Sequence, residues 1–95
     1  MDELINEPCT VAVGDGRYPG TVNVDLDPSS GLKTWRVVVE TDLRDFLGIR
    51  HGIVLTGSTT RHGLAFPTSA RLGDGRWVSV LEGDGPLHES AKTDG

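Results

Sequence analysis

The sequence predicts a mainly β fold: a small antiparallel barrel or sandwich of five to six strands with one short helix at about residues 42–47. Three observations lead to this fold class. Short segments rich in β-branched residues recur along the chain, and several alternate apolar with polar side chains. Gly-Asp-Gly follows two of these segments, and such sequences readily form hairpin turns. Helical spacing of apolar residues stands out in a single short stretch near the centre.

The length of 95 residues is enough for one domain with one hydrophobic core. We expect residues 1–8 to form a flexible acidic arm, residues 9–82 a single β-rich domain, and residues 83–95 a disordered tail. The arm is predicted because the first eight residues carry three carboxylates and end in Pro8, which cannot donate to a ladder. The tail is polar and has no hydrophobic period.

The first two predicted strands form a hairpin. Residues 9–13 place Val11 and Val13 on one face, and residues 20–26 alternate apolar with polar side chains. The intervening Gly-Asp-Gly supplies residues that tolerate positive φ. The polar stretch at 27–32 then predicts a turn.

The centre of the chain predicts a strand, a helix and a second strand. Residues 35–40 and 53–56 have strand composition. Thr41 or Asp42 can cap the helix between them, and Gly48 can end it in the left-handed conformation. The helix presents one apolar stripe, which we expect to pack on the sheet: Leu43, Phe46 and Leu47.

The last strands flank the second Gly-Asp-Gly sequence. Residues 64–72 form a strand that Pro67 interrupts, which favours an edge or a bulge at that point. Residues 76–81 form the final strand, with Val78 and Val80 predicted to face inward.

Residues 37–55, VVVETDLRDFLGIRHGIVL, resemble the core of the AbrB/SpoVT (swapped-hairpin) domains. Those domains run from a strand through a short helix with Leu-Arg and a Leu-Gly-Ile-x-x-Gly sequence into a second strand. Where that family usually has proline before its helix, this chain has Glu40 and Thr41. The resemblance implies an intertwined dimer that binds DNA, and it is the alternative functional hypothesis. The arginines that would contact nucleic acid are Arg36, Arg44 and Arg50.

The net charge of −5 argues against a general nucleic-acid binder, because such proteins derive their affinity from neutralising phosphates. The charge is uneven, however. Residues 1–31 hold six carboxylates and one arginine, whereas residues 35–65 hold four arginines and three carboxylates. An anion is therefore best accommodated by the central part of the chain.

Residues 57–63, GSTTRHG, form a polar loop rich in hydrogen-bond donors. Hydroxyl, guanidinium and backbone N–H groups can together hold a phosphate or another anion, although the sequence is not a P-loop. The side chains that would contribute to an anion or nucleic-acid site are Ser58, Thr59, Arg61 and His62. The alternative interpretation of this stretch is a plain hairpin loop.

Catalytic and metal-binding patterns are missing from the sequence, which predicts neither an enzyme nor a cofactor. His51, His62, His88 and Cys9 lack the spacing of metal ligands. Because Cys9 is the sole cysteine, the chain has no intrachain disulfide, and a reducing compartment is the default. The N-terminus lacks the apolar segment of a signal peptide and no apolar run approaches membrane-spanning length, so we expect a cytoplasmic protein.

The sequence Gly-Asp-Gly-Arg-aromatic occurs twice and gives the leading functional hypothesis. Arginine, tyrosine and tryptophan are favoured at the energetic centres of protein interfaces. We therefore expect a small non-enzymatic protein-binding module, of the kind that phages or plasmids encode as adaptors or inhibitors of host proteins. The sequence also leaves homodimerisation as an alternative. The predicted partner-binding residues are Arg17, Tyr18, Arg76 and Trp77.

Overall fold

A computed structural model describes residues 2–26, 29–31 and 33–89 of the chain. It confirms the predicted class, with seven strands in one antiparallel sheet and a single short helical turn. The strands are β1 (Asp2–Val13), β2 (Gly16–Leu26), β3 (Lys33–Val39), β4 (His51–Thr56), β5 (Thr60–Gly73), β6 (Arg76–Gly83) and β7 (His88–Glu89). The helical turn η1 (Arg44–Phe46) is of the 3-10 type.

The sheet closes on itself as a barrel. Around the ring the strand order is β1-β2-β3-β6-β5-β4, and β4 pairs back onto β1. Each half of the chain contributes a three-stranded meander, and the long strand β5 pairs with β4 through its first part and with β6 through its second. The two-residue strand β7 adds to β5 at Arg61 and His62. Closure within one chain leaves few free strand edges.

The core fills the inside of the ring. Strand residues alternate inward and outward, so every second side chain of each strand points to the centre. Val11 and Val13 face inward, as predicted. The buried apolar set is Val11, Val13, Val22, Val24, Trp35, Val37, Val39, Leu43, Ile53, Leu55, Ala65 and Leu81.

Trp35 is the largest side chain of this core, and two glycines make room for it. A Cβ atom at Gly83 would collide with the indole ring, and a Cβ atom at Gly63 would lie 2.9 Å from it. The indole Nε1 donates a hydrogen bond to the carbonyl oxygen of Gly85 at 2.9 Å. The segment after β6 is therefore anchored to the core through this tryptophan.

Strands β1 and β7 extend into the segments that the sequence predicts to be an arm and a tail. Residues 2–8 form the first part of β1 and pair with β2, beginning with Asp2 opposite Leu26. After β6 the chain continues to β7, which ends at Glu89. Met1 and residues 90–95 lie outside the described residues.

The predicted helix is reduced to one 3-10 turn, and its apolar stripe does not pack as expected. Leu43 is buried, whereas Phe46 and Leu47 are 43% and 46% exposed. A turn of three residues cannot bring all three side chains onto the sheet, so a single residue enters the core. Gly48 is left-handed at φ 78°, as predicted.

The inward face of β6 is the opposite of the predicted one. Ser79 and Leu81 are buried, whereas Val78 and Val80 are partly exposed. Ser79 can face inward because its hydroxyl group has hydrogen-bond partners there, which offsets the cost of burying it.

Candidate functional site

One end of the barrel brings together both Gly-Asp-Gly-Arg turns. β2 and β6 lie on either side of β3 and run antiparallel to it, with Gly20, Val39 and Ser79 side by side. β3 stops at Val39, while its two neighbours extend past that row to their hairpin turns. The segment 40–50 then crosses this opening to reach β4. We call residues 40–50 together with the turns at 14–15 and 74–75 the crossover end.

The two turns lie at the same end of the barrel, but different residues of the repeated Gly-Asp-Gly sequence form them. In the first turn Val13 pairs with Gly16, and the left-handed residue is Gly14 at φ 59°. In the second turn Gly73 pairs with Arg76, so the tight turn consists of residues 74–75, both with positive φ. The repeated sequence therefore reflects similar turn chemistry without an internal structural repeat.

The predicted partner-binding residues divide into two exposed arginines and two half-buried rings. Arg17 and Arg76 are exposed. Tyr18 lies on the inner face of β2 and packs against the core, and Trp77 is half-buried on β6. Arg76 also contacts Glu40 of the crossover at 3.4 Å, an exposed ion pair that holds the arginine loosely.

The crossover is attached to the barrel by hydrogen bonds near both of its ends. Ser79 Oγ accepts a hydrogen bond from the backbone N–H of Leu43 at 3.0 Å and donates one to the carbonyl oxygen of Thr41 at 2.8 Å. Farther along, the N–H of Gly48 donates to the carbonyl oxygen of Pro67 at 2.9 Å. These bonds give the segment a defined path, although it is neither a strand nor a full helix.

Between these anchors the crossover exposes large apolar side chains. Phe46, Leu47 and Ile49 are 43%, 46% and 51% exposed, and Leu72 near the second turn is 60% exposed. Single exposed apolar residues are normal, but three within four positions on an anchored segment form a cluster. Such clusters, surrounded by polar residues, are typical of interaction sites.

Arg44 connects the crossover to the second hairpin. Its guanidinium lies 4.1 Å from the centre of the Trp77 ring and binds the carboxylate of Asp42 at 2.9 Å. The hydrogen bonds from Arg44 lower the pKa of the Asp42 carboxyl group below its ordinary value. Stacking on an aromatic ring while binding a carboxylate orders the guanidinium, which reduces the entropy lost when a partner binds over it.

The residues predicted for an anion or nucleic-acid site do not come together. Arg36 is exposed on the wall of the barrel at β3, and Arg44 and Arg50 belong to the crossover end. The loop residues, by contrast, lie where β4 passes into β5, at the opposite end of β4 from the crossover. Their tight turn covers residues 57–59, and Thr59 lies in it beside Ser58.

Two of the polar donors of that loop, Ser58 and Arg61, already bind carboxylates. Arg61 is 6% exposed and forms ion pairs with Glu7 and, at 3.3 Å, with Glu89. Ser58 Oγ donates to the second oxygen of Glu7 at 2.8 Å. The hydrogen bond from Arg61 is the main reason that the pKa of Glu7 is lowered. Burial raises the pKa of the neighbouring Cys9 thiol, which disfavours the reactive thiolate.

A groove of about 540 Å³ lies on the outer wall of the barrel, between the β4–β5 hairpin and the segment that follows β6. Asp84 on its edge is held by Arg50, with 2.7 Å between Nε and the carboxylate oxygen. His62 and His88 stack across β5 and β7, with 5.2 Å between ring centres. The side chains that line it include Val54, His62, Leu64, Asp84, Pro86 and His88.

Sequence reasoning missed two parts of these surfaces. It placed Phe46 and Leu47 in the core, because helical spacing alone does not reveal that the helix is too short to bury them. It also assigned His88 to a polar tail. The one signal in that segment is Leu87, a large apolar residue in a polar stretch. In the structure it packs against the core while its neighbours are exposed.

No protein-family model, curated protein or solved structure matches the chain. None of the helices among the described residues is long and apolar enough to cross a membrane. Within the same residues, no group of three or more His, Cys, Asp or Glu side chains is placed so that it could hold a metal ion.

Proposed function

We propose that this chain is a non-enzymatic protein-binding module, an adaptor or inhibitor whose interaction surface is the crossover end. One observation carries the proposal: both Arg-aromatic hairpins flank an anchored segment that exposes Phe46, Leu47 and Ile49. An apolar centre with arginine and aromatic residues around it has the composition of interface hot spots.

Charges of both signs surround the apolar cluster. Arg17 and Arg71 are exposed on the strands beside the two turns, and Arg44 is ordered by its contact with Trp77. The crossover end also exposes five carboxylates, so a partner that inserts an apolar side chain beside Phe46 would meet acidic and basic groups at the rim: Asp15, Glu40, Asp42, Asp45 and Asp74. Rim charges of this kind act mainly on association rate and specificity.

The DNA-binding alternative has weaker support. Arg44 and Arg50 are each paired with a carboxylate, which competes with phosphate for the guanidinium. An intertwined dimer of the AbrB/SpoVT kind would build β3 and β4 into a shared core. Here β3 and β4 lie on opposite sides of a ring that a single chain closes. DNA binding therefore remains the second hypothesis, and nuclease treatment in the following experiment distinguishes it from protein binding.

The test is a quantitative pull-down from nuclease-treated bacterial lysate with immobilised wild type and two matched variants. Ile49→Asp places a charge in the crossover cluster, and Val54→Asp does the same on the distant wall, where Val54 is 40% exposed. We expect a stoichiometric protein partner to bind the wild type and Val54→Asp, and to bind Ile49→Asp at least about tenfold more weakly.

Circular dichroism of each variant confirms folding before the comparison. A partner that binds Ile49→Asp as well as wild type, and that also tolerates joint replacement of Arg17 and Arg76 by alanine, would refute the proposal. Material that is recovered only without nuclease, and lost with rising salt, would favour the DNA-binding alternative.

A further inference from the structure

His62 and His88 are far apart in the sequence but directly opposite each other in the sheet. They are register partners in the β5–β7 pair, and both side chains are exposed on the outer wall. Their imidazole rings stack with 5.2 Å between centres and an angle of 27° between planes. Directly opposed residues of antiparallel strands keep their Cβ atoms about 4.5–5.5 Å apart, so the pair is fixed by the backbone.

From this geometry we infer that His62 and His88 form a two-histidine site for a transition-metal dication such as Zn²⁺. A Zn–N distance of about 2.0–2.1 Å, plus about 1.1 Å from ring nitrogen to ring centre, places two imidazoles on a tetrahedral ion with centres about 5 Å apart. The observed separation of 5.2 Å is of this size, but the rings stack with only 27° between their planes, so their nitrogens do not converge on one point in this conformation. Both imidazoles must therefore rotate about their side-chain bonds to bind one ion, and the direct pairing of the two residues keeps them close enough to do so.

The imidazole ligands select the kind of ion. Nitrogen donors suit Zn²⁺, Ni²⁺ and Cu²⁺, whereas Mg²⁺ and Ca²⁺ prefer oxygen. Since no third His, Cys, Asp or Glu is grouped with the pair among the described residues, the remaining coordination positions go to water or to a donor from another molecule.

The open positions of the ion lie beside the groove. Both histidines line it, together with the apolar side chains of Val54, Leu64 and Pro86. A small molecule with one donor atom and an apolar body fits this combination, because the donor can complete the coordination while the rest lies against the apolar wall. Asp84, which also lines the groove, disfavours a negatively charged ligand. The site is separate from the crossover end and does not depend on the protein-binding proposal.

Metal binding at this pair also fastens the segment after β6. That segment is already attached through the hydrogen bond from Trp35 to Gly85 and the ion pair between Arg61 and Glu89. An ion shared by β5 and β7 adds a further attachment, which favours the folded state by mass action. Zinc should therefore raise the melting temperature and slow backbone amide exchange at β7.

The test is titration of EDTA-treated, dialysed protein with zinc chloride alone, followed by calorimetry and thermal unfolding. We expect one ion per chain in the wild type, binding at least tenfold weaker in His62→Asn and in His88→Asn, and no zinc-induced rise in melting temperature in either variant. Cys9→Ser is the control, because a cysteine thiolate is also a strong zinc ligand and Cys9 is the sole cysteine.

Because both histidines are exposed, the asparagine variants should keep the melting temperature of the wild type in EDTA, which separates loss of the site from loss of the fold. The inference is overturned if the wild type shows no binding at free zinc up to about 1 mM, a concentration that corresponds to about 4 kcal/mol of binding free energy. It is equally overturned if the asparagine variants bind like the wild type, or if Cys9→Ser loses binding to the same extent.

Discussion

Replacing Ser79 with alanine tests whether the crossover is held by its buried hydroxyl group. Ser79 is fully buried, and its Oγ atom joins the N–H of Leu43 to the carbonyl oxygen of Thr41. Alanine keeps the Cβ atom and the strand geometry but removes both hydrogen bonds. The N–H of Leu43 then loses its hydrogen-bond partner. Water cannot easily replace the hydroxyl group, because Leu43 is only 4% exposed.

The magnitude follows from those two bonds. Each contributes a net of about 0.5–1.5 kcal/mol, and leaving a buried N–H unpaired costs about 1–3 kcal/mol. We therefore expect Ser79→Ala to lower the free energy of unfolding by about 2–3 kcal/mol. With a urea dependence of about 1 kcal/mol/M for a small domain, the midpoint should fall by about 2–3 M.

The assay combines urea unfolding, followed by tryptophan fluorescence, with amide hydrogen exchange at Leu43. Ser58→Ala is the matched control, since it also removes a hydroxyl hydrogen bond, at 2.8 Å to Glu7, but in an exposed position. This control should change stability by no more than about 0.5 kcal/mol. If Ser79→Ala loses no more than the control and Leu43 exchanges at its wild-type rate, the hydroxyl group does not hold the crossover and the reasoning is refuted.

Two further predictions concern the core and the ion pairs. Gly83→Ala should destabilise the fold by about 1–3 kcal/mol, because the new Cβ atom would collide with the Trp35 ring. The control is Gly73→Ala, which should cost less than about 1 kcal/mol because the space around its Cβ is open. Equal losses of stability in thermal or urea unfolding would contradict this reasoning. The lowered pKa of Glu7 means that its pair with Arg61 stabilises the fold above the ordinary pKa of about 4.5 and loses this contribution as pH falls through the folded-state value. Acid unfolding should therefore be less steep in Glu7→Gln, and an unchanged pH dependence would count against the pair.

Local sequence signals predicted several local features of this chain, although not the length of the helix or the inward face of β6. The two Gly-Asp-Gly turns, the inward valines of β1 and the left-handed Gly48 all follow from residue chemistry within a few positions. The closure of the ring could not be predicted in this way. The pairings of β1 with β4 and of β3 with β6 join residues about forty positions apart, and nothing in either strand alone selects its partner.

The sites show the same limit for a different reason. The stack of His62 on His88 depends on β7 reaching β5, and the inward position of Ser79 depends on the crossover above it. In both cases a polar residue is placed by a partner that is distant in the sequence. Alternation of apolar residues is then misleading, because Val78 and Val80 look like the better core residues.

The exposure of the crossover cluster follows from how the barrel is closed at this end. β3 stops at Val39 while both its neighbours continue, so the connection to β4, residues 40–50, has to cross this end of the barrel. Leu43 enters the core there and Ser79 satisfies the backbone beneath it, which uses the available interior. Phe46, Leu47 and Ile49 remain exposed because the 3-10 turn is too short to bring them onto the sheet with Leu43, so a partner that covers them does not have to displace the residues of the core. A surface that is apolar yet anchored loses little entropy on binding, and this favours the crossover end over the wall groove as the place where another protein binds.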